Sequence, residues 1–160
     1  MAETRVGLGY DVHAFEDGRP LVLGGVKIAH DRGLAGHSDA DVLVHALMDA
    51  ILGAMRAGDI GRQFPDSDPV YAGISSIELL RRVAELMAER GYRLVDADTV
   101  LVLQRPRVSS YRERMRETMA KALGVEIDRI GVKATTTEGL GLTGREEGVA
   151  AQAVVLLERV

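Results

Sequence analysis

The chain has no cysteine, no tryptophan and no asparagine among its 160 residues, and only two phenylalanines and four tyrosines. Without cysteine there are no disulfides and no thiolate chemistry, so any metal must be held by imidazole and oxygen ligands. The scarcity of stacking rings and a net charge of −4 tell against a nucleic-acid surface, which needs a basic face with aromatic platforms. An anionic ligand would have to find positive charge locally, from metal ions and a few arginines. No apolar run approaches the ~20 residues of a membrane span and the N-terminus has no secretory apolar core, so the expectation is a cytoplasmic protein. Lysine is reduced to Lys27, Lys121 and Lys133. The lack of asparagine and cysteine is common to heat-stable proteins and to GC-rich coding and does not separate them, and lysine enrichment, the more general mark of heat stability, is missing.

What is present reads as one domain over residues 1–160, long enough to bury about 68–70% of the unfolded chain's surface. Residues 4–13 read as a first strand, followed by turn material at Glu16 to Arg19 and a second extended run from Leu21 to Ala29, broken by Gly24 and Gly25; the two suggest a paired-strand unit. An apolar helix runs from Val42 to about Met55, opened by Ser38 with Asp41 three later in the manner of a capping box. Residues 58–69 form a loop. A second helix opens at Ser75 or Ser76 and closes at Gly91, and a third runs from Ser110 to Gly124. Asp98 to Leu103, Ile130 to Thr135 and Val149 to Leu157 read as strands. The fold class is therefore α+β, a mixed β-sheet with helices on one face. Val149 to Leu157 is apolar on both faces, which suggests that the second sheet face packs against other subunits.

The chemistry concentrates in two stretches. Asp11 and His13 stand two apart on a strand, so both side chains leave the same face. Asp41, His45 and Asp49 stand four apart on an otherwise apolar helix and form one polar stripe. A lone histidine on an apolar helix face is more often a hydrogen-bonded core residue than a ligand. Here His13, His37 and His45 fall in or beside the segments that carry Asp11, Asp39, Asp41 and Asp49, and an unpartnered buried stripe would cost about 1–3 kcal/mol per group. Imidazole with carboxylate suits Zn²⁺, and three protein ligands leave a fourth position open for water or substrate. Spacing leaves two triads standing, Asp11, His13 and His45 or His37, Asp41 and His45. A second stretch, Thr135 to Glu138 followed by Gly139, Gly141, Gly144 and Gly148, offers hydroxyls, backbone N–H groups and one hard oxygen ligand, which suits a diphosphate with Mg²⁺ or Mn²⁺. A β-branched strand end running into a flexible turn would look the same.

Four separated motifs carry the reading further: Gly9-Tyr10-Asp11-Val12-His13, Gly36-His37-Ser38-Asp39-Ala40-Asp41 with His45, Gly58-Asp59-Ile60-Gly61 with Phe64-Pro65-Asp66, and Val132-Lys133-Ala134-Thr135-Thr136-Thr137-Glu138 through Thr143-Gly144-Arg145. In this order, over essentially the whole chain, they resemble the 2-C-methyl-D-erythritol 2,4-cyclodiphosphate synthases of the non-mevalonate isoprenoid pathway. The resemblance implies a homotrimer about a three-fold axis with active sites between subunits. It implies intramolecular phosphoryl transfer in a cytidine diphosphate derivative of methylerythritol 2-phosphate, giving the cyclic diphosphate and CMP. It also implies Zn²⁺ on Asp11, His13 and His45, and Mg²⁺ or Mn²⁺ on Glu138 and the substrate diphosphate, with Thr136 beside it. His37 and Ser38 would contact phosphate and substrate, Asp59, Gly61, Phe64 and Asp66 the methylerythritol part. Leu103 to Ser109, with Pro106 and Arg107, and Ala134, Thr135 and Thr136 would form the cytidine pocket. Asp49 is expected near His45 as a buried polar partner.

Leu142 stands where the family often has phenylalanine and Gln152 where it often has glutamate, both near Arg145 at the implied trimer axis. Some members bind an isoprenoid diphosphate there; Arg145 is kept while the rest of the lining is changed. Two other readings compete. A metal-dependent phosphoesterase would use the same ions to hydrolyse a nucleoside diphosphate derivative, and a trimeric ligand-binding protein would use the buried stripe structurally.

Overall fold

The computed structural model describes all 160 residues. β1 (Thr4–Asp17) pairs antiparallel with β4 (Arg32–Leu34) on one side and along nearly its whole length with β7 (Gly148–Arg159) on the other. β5 (Tyr92–Val102) continues the sheet antiparallel to β7, and β6 (Ile130–Thr135) closes it parallel to β5, giving the order β4-β1-β7-β5-β6. The helices α1 (Val42–Ala54), α3 (Ser76–Glu89) and α4 (Arg112–Leu123) cover one face, with a one-turn α2 (Ile60–Gln63) after α1 and a one-turn α5 (Gly141–Gly144) before β7. The α+β class and the mixed sheet follow the expectation.

Several details differ from it. The run from Leu21 to Ala29 does not extend the main sheet; it folds on itself as a two-stranded hairpin, β2 (Leu21–Leu23) with β3 (Val26–Ile28). Gly24 and Gly25, at φ of +59° and +76°, make its turn, which is why they interrupted the strand pattern. β5 begins at Tyr92 instead of Asp98, because a bulge between Leu94 and Asp96 breaks the alternation that marks a strand. Ser38 does not open α1. Asp41 is the N-cap and accepts from Val44 N at 3.1 Å, while its other oxygen and its first also accept from Gly25 N and Gly24 N in the β2–β3 turn. Burial and the neighbouring Asp39 push its carboxyl up to about 6 even so.

The contact that sets the geometry of the whole domain is between α1 and β1. Side chains at Gly7 and Gly9 would point at the helix, but a Cβ there would stand 1.8 Å from Ala50 O and from Ala46 O respectively. Helix backbone therefore lies directly on strand backbone. Ala46, Ala50 and Ala54, four apart and fully buried, give α1 the small-residue ridge that permits this. The opposite parity of β1 carries Val6, Leu8 and Tyr10, all exposed, with Val154 exposed beside them on β7. The sheet is thus buried on one face and carries an apolar strip along β1 and β7 on the open face, beside the exposed Gln152 and the Asp98–Lys133 pair.

Replacing Gly9 by alanine forces α1 off the strand and is expected to destabilise the fold by about 1–3 kcal/mol. Gly53→Ala is the control, because a Cβ there meets only Leu8 O at 3.9 Å and helix propensity favours alanine by about 1 kcal/mol. Chemical denaturation that ranked Gly9→Ala with Gly53→Ala would contradict this packing.

Candidate functional site

β1 passes from its seam with α1 to the half-buried Asp11 and His13, which keep the helix-facing parity of Gly7 and Gly9. His45 precedes Ala46, the residue whose carbonyl rests over Gly9. The seam therefore delivers His45 onto the end of β1. Asp11 Oδ2 lies 2.9 Å from His13 Nε2 and 3.1 Å from His45 Nδ1, and the two ring nitrogens are 3.2 Å apart. These three residues form a group able to hold a metal ion. The structure thus brings together the first of the two triads; His37 and Asp41 are not part of it.

The far side of each ring decides what faces the centre. His13 Nδ1 lies 2.6 Å from Ala35 O, a pure acceptor, so the proton is on Nδ1 and the Nε2 lone pair turns inward. His45 Nε2 lies 2.9 Å from Ser76 Oγ and 3.2 Å from Ser38 Oγ, leaving Nδ1 to face Asp11. The Asp11 carboxylate and the His13 Nε2 lone pair then face each other with no donor between them unless a proton or a cation is supplied, and His45 Nδ1 completes the triangle. Burial works against the charged forms, but contact with the two histidines outweighs it and holds the Asp11 carboxyl down at about 2. Burial likewise works to lower His13, and the Asp11 carboxylate overrides it and raises the imidazole above its ordinary value. A tetrahedral ion with ligands at about 2.0–2.1 Å has ligand–ligand edges of about 3.3 Å, close to the triangle observed. The donor set fits a borderline divalent metal.

The centre opens into a cleft of about 230 Å³ that His37, Ser38, Gly61, Phe64 and Asp66 also line, together with Ile60 and Tyr71. Arg19 braces its rim by donating to Gly36 O and Ser38 O at 2.6 and 2.7 Å. Asp59 does not line this cleft; it is the N-cap of α2 and accepts from Arg62 N at 2.9 Å. Asp49 accepts from Ile60 N at 2.8 Å, so it anchors α2 and touches His45 only through its field. The single stripe on α1 thus divides three ways, into a cap, a member of the triad and an anchor.

Leu103, Pro106, Arg107, Ala134, Thr135 and Thr136 line a second cleft of about 270 Å³, with Gln104, Val108 and Ser109. The two clefts share no residue. Glu138 lies in neither and is exposed, at a φ of +53°, its N–H donating to Thr136 Oγ1 at 3.2 Å. Arg145 also lies outside both and pairs with Glu147 at 2.7 Å, while Leu142 and Gln152 are exposed. Sequence reasoning missed Ala35, Ser76 and the role of Asp39. A backbone carbonyl leaves no signal, and Ser76 is indistinguishable from an ordinary helix opener.

An α+β sheet domain whose two-histidine, one-carboxylate centre opens onto a cleft defines a metal-binding enzyme with room for a ligand at the ion. The chain belongs to the YgbB family, whose model matches residues 4–158. It is 62% identical to the 2-C-methyl-D-erythritol 2,4-cyclodiphosphate synthase of Syntrophobacter fumaroxidans over 96% of each chain, and 56% identical to that of Geobacillus thermodenitrificans over 97% of each. Among solved structures, the bifunctional IspDF of Campylobacter jejuni matches with a TM-score of 0.96 at 42% identity, over 100% of this chain and 43% of that one. A Plasmodium falciparum IspF described as a CDP complex matches with a TM-score of 0.85 at 31% identity, over 98% and 96%.

Because a metal must displace the proton that Asp11 favours on His13, zinc affinity of the apo-protein falls as pH is lowered, by up to about tenfold per unit below the His13 pKa. Chelator competition between pH 8 and pH 5.5 measures this. A flat profile would show that His13 is not a ligand.

Proposed function

We infer that the chain converts 4-diphosphocytidyl-2-C-methyl-D-erythritol 2-phosphate to 2-C-methyl-D-erythritol 2,4-cyclodiphosphate and CMP, in isoprenoid precursor synthesis. That reaction makes it a phosphorus–oxygen lyase, and its relatives are named 2-C-methyl-D-erythritol 2,4-cyclodiphosphate synthases. The observation that carries the reading is the convergence of Asp11, His13 and His45 at the head of a cleft, on a chain matching these synthases end to end. The ion we assign to the triad is Zn²⁺, and to Glu138 with the substrate diphosphate Mg²⁺ or Mn²⁺. Bound there, such ions supply Lewis-acid polarisation of the phosphoryl oxygens.

The chain's own residues have to align and to neutralise. A phosphate monoester has its second pKa near about 6, so the attacking 2-phosphate is mostly doubly ionised at neutral pH and needs no general base. Its oxygen forms a bond to the β-phosphorus while the bond from β-phosphorus to the oxygen bridging to the α-phosphate breaks, and CMP departs in line. His37 and Ser38, beside the triad, are assigned to the phosphates. Gly61, Phe64 and Asp66 are assigned to the methylerythritol part, with Asp59 behind them shaping the α2 turn. Thr136 and Thr135, with Ala134, Leu103, Pro106 and Arg107, are assigned to the cytidine diphosphate end.

One substrate must reach both the triad and the second cleft, and within one chain these share no wall. A second copy that brings its cleft to the first one's triad answers this, and the exposed Val6, Leu8, Tyr10 and Val154 supply an apolar face for such packing. This supports active sites between subunits, and from the family resemblance we assign the single domain of residues 1–160 to a homotrimer. No helix is long and apolar enough to cross a membrane, and we place the protein in the cytoplasm. The phosphoesterase and binding-protein readings find no support among the relatives.

³¹P NMR of the purified protein with its substrate and Mg²⁺ is expected to show two coupled cyclic diphosphate signals together with CMP, lost when zinc is chelated. Linear phosphate products would mean hydrolysis, and an unchanged spectrum with zinc bound would mean a binding protein.

A further inference from the structure

Asp39, Ser76 and His45 form a chain of hydrogen bonds that ends on the metal triad from behind. Asp39 accepts from the Ser76 hydroxyl through Oδ1 and from the Ser76 backbone N–H through Oδ2, the latter at 3.0 Å. Ser76 is the first residue of α3, and the preceding Ser75 makes no side-chain cap. Asp39, from the loop before α1, thus fills the place of the missing cap and puts its charge at the positive end of that helix. Ala40, fully buried at a φ of +58°, turns the backbone so that Asp39 serves α3 while Asp41 serves α1 and the β2–β3 turn. A left-handed conformation at a non-glycine residue is strained and is held here by both carboxylates.

We propose that Asp39 and Ser76 are positioning residues that fix His45 with its proton on Nε2, so that the Nδ1 lone pair is presented to the metal. The Ser76 hydroxyl has one proton, and an ionised carboxylate takes it. What Ser76 then offers His45 at 2.9 Å is a lone pair, which bonds Nε2–H and repels a bare nitrogen. The other neutral tautomer would donate Nδ1–H to Asp11 at 3.1 Å and close the site with a proton. Ser38 Oγ, at 3.2 Å from Nε2 and already accepting from Ala40 N, does not discriminate, because it can donate or accept. The Asp39 charge passed through Ser76 also makes His45 a stronger donor, as outer hydrogen-bond partners of metal-bound imidazoles do. His13 has a neutral carbonyl in the same role, so the two histidines are held by partners of different strength.

This rests on the triad being a metal centre, and the experiment separates the two claims. Zinc affinity is measured by chelator competition for the unaltered chain, Ser76→Ala, Ser76→Thr and Asp39→Asn, and the His45 tautomer by long-range ¹⁵N–¹H correlation in the metal-free proteins. The expected result is zinc binding weakened about 10- to 100-fold in Ser76→Ala, in line with the loss of such partners elsewhere. Ser76→Thr, which keeps the hydroxyl, recovers most of the affinity, and the His45 signals of Ser76→Ala move from the Nε2–H form towards the Nδ1–H form. Asp39→Asn weakens binding in the same direction with α3 intact by circular dichroism. Affinity within twofold of the unaltered chain and an unmoved tautomer in Ser76→Ala would overturn the inference. Absence of zinc binding by the unaltered chain would instead remove the metal centre on which it rests.

Discussion

Backbone-to-backbone contact between β1 and α1 is the constraint on which the site depends. It exists because Gly7 and Gly9 offer no side chains and Ala46, Ala50 and Ala54 offer only methyls. Close approach fixes the distance of α1 over the strand and seats the Ala50 and Ala46 carbonyls over Gly7 and Gly9. His45 and the pair Asp11 and His13 are each one step beyond that seam. A shift of the helix by a fraction of a turn would leave the packing apolar but open the triangle by more than a metal's coordination sphere tolerates. Packing here serves as the positioning device for chemistry, and the precision of the site derives from the rigidity of the densest part of the core.

Around that seam the polar groups are arranged to hold the triad in one protonation pattern. Ala35 O takes the His13 proton on one side and Ser76 Oγ receives that of His45 on the other. Asp41 sews the β2–β3 turn to the start of α1, and Asp49 holds α2, so the wall of the cleft carrying Gly61, Phe64 and Asp66 is tied to the same helix that carries the ligand. The cleft wall and the centre are therefore anchored on one helix. The second cleft is built from the end of β6 with Thr136 and the 103–109 loop that follows β5, at the opposite side of the sheet order from β1, and has no such tie to α1.

Much of this could be read from the residues. The helix limits at Val42 and Met55, the strand at 130–135 and the left-handed closure of α4 at Gly124 follow from apolar period and glycine placement, and the structure has them within a residue or two. Asp11 and His13 declared themselves by strand parity. What stayed hidden has a common cause, which is that it depends on distant parts of the chain. Two triads were open because spacing cannot say which loop meets which strand end. The Asp41, His45 and Asp49 stripe looked like one functional surface because helix periodicity ignores what each residue meets. Ser76 and Asp39 lie 37 apart, and their bond follows from the docking of α3 against the loop before α1. Strand β5 began six residues early because a bulge hides period two.

The claim that most needs testing is that His13 and His45 present Nε2 and Nδ1, with Asp11, to one ion at the mouth of the cleft. Anomalous diffraction at the zinc edge from crystals grown with zinc and CDP addresses it directly. The account predicts a single strong peak about 2.0–2.2 Å from His13 Nε2, His45 Nδ1 and an Asp11 carboxylate oxygen, with the fourth position turned towards the cleft. A peak elsewhere with the triad empty, or an ion reached through His45 Nε2, would contradict it.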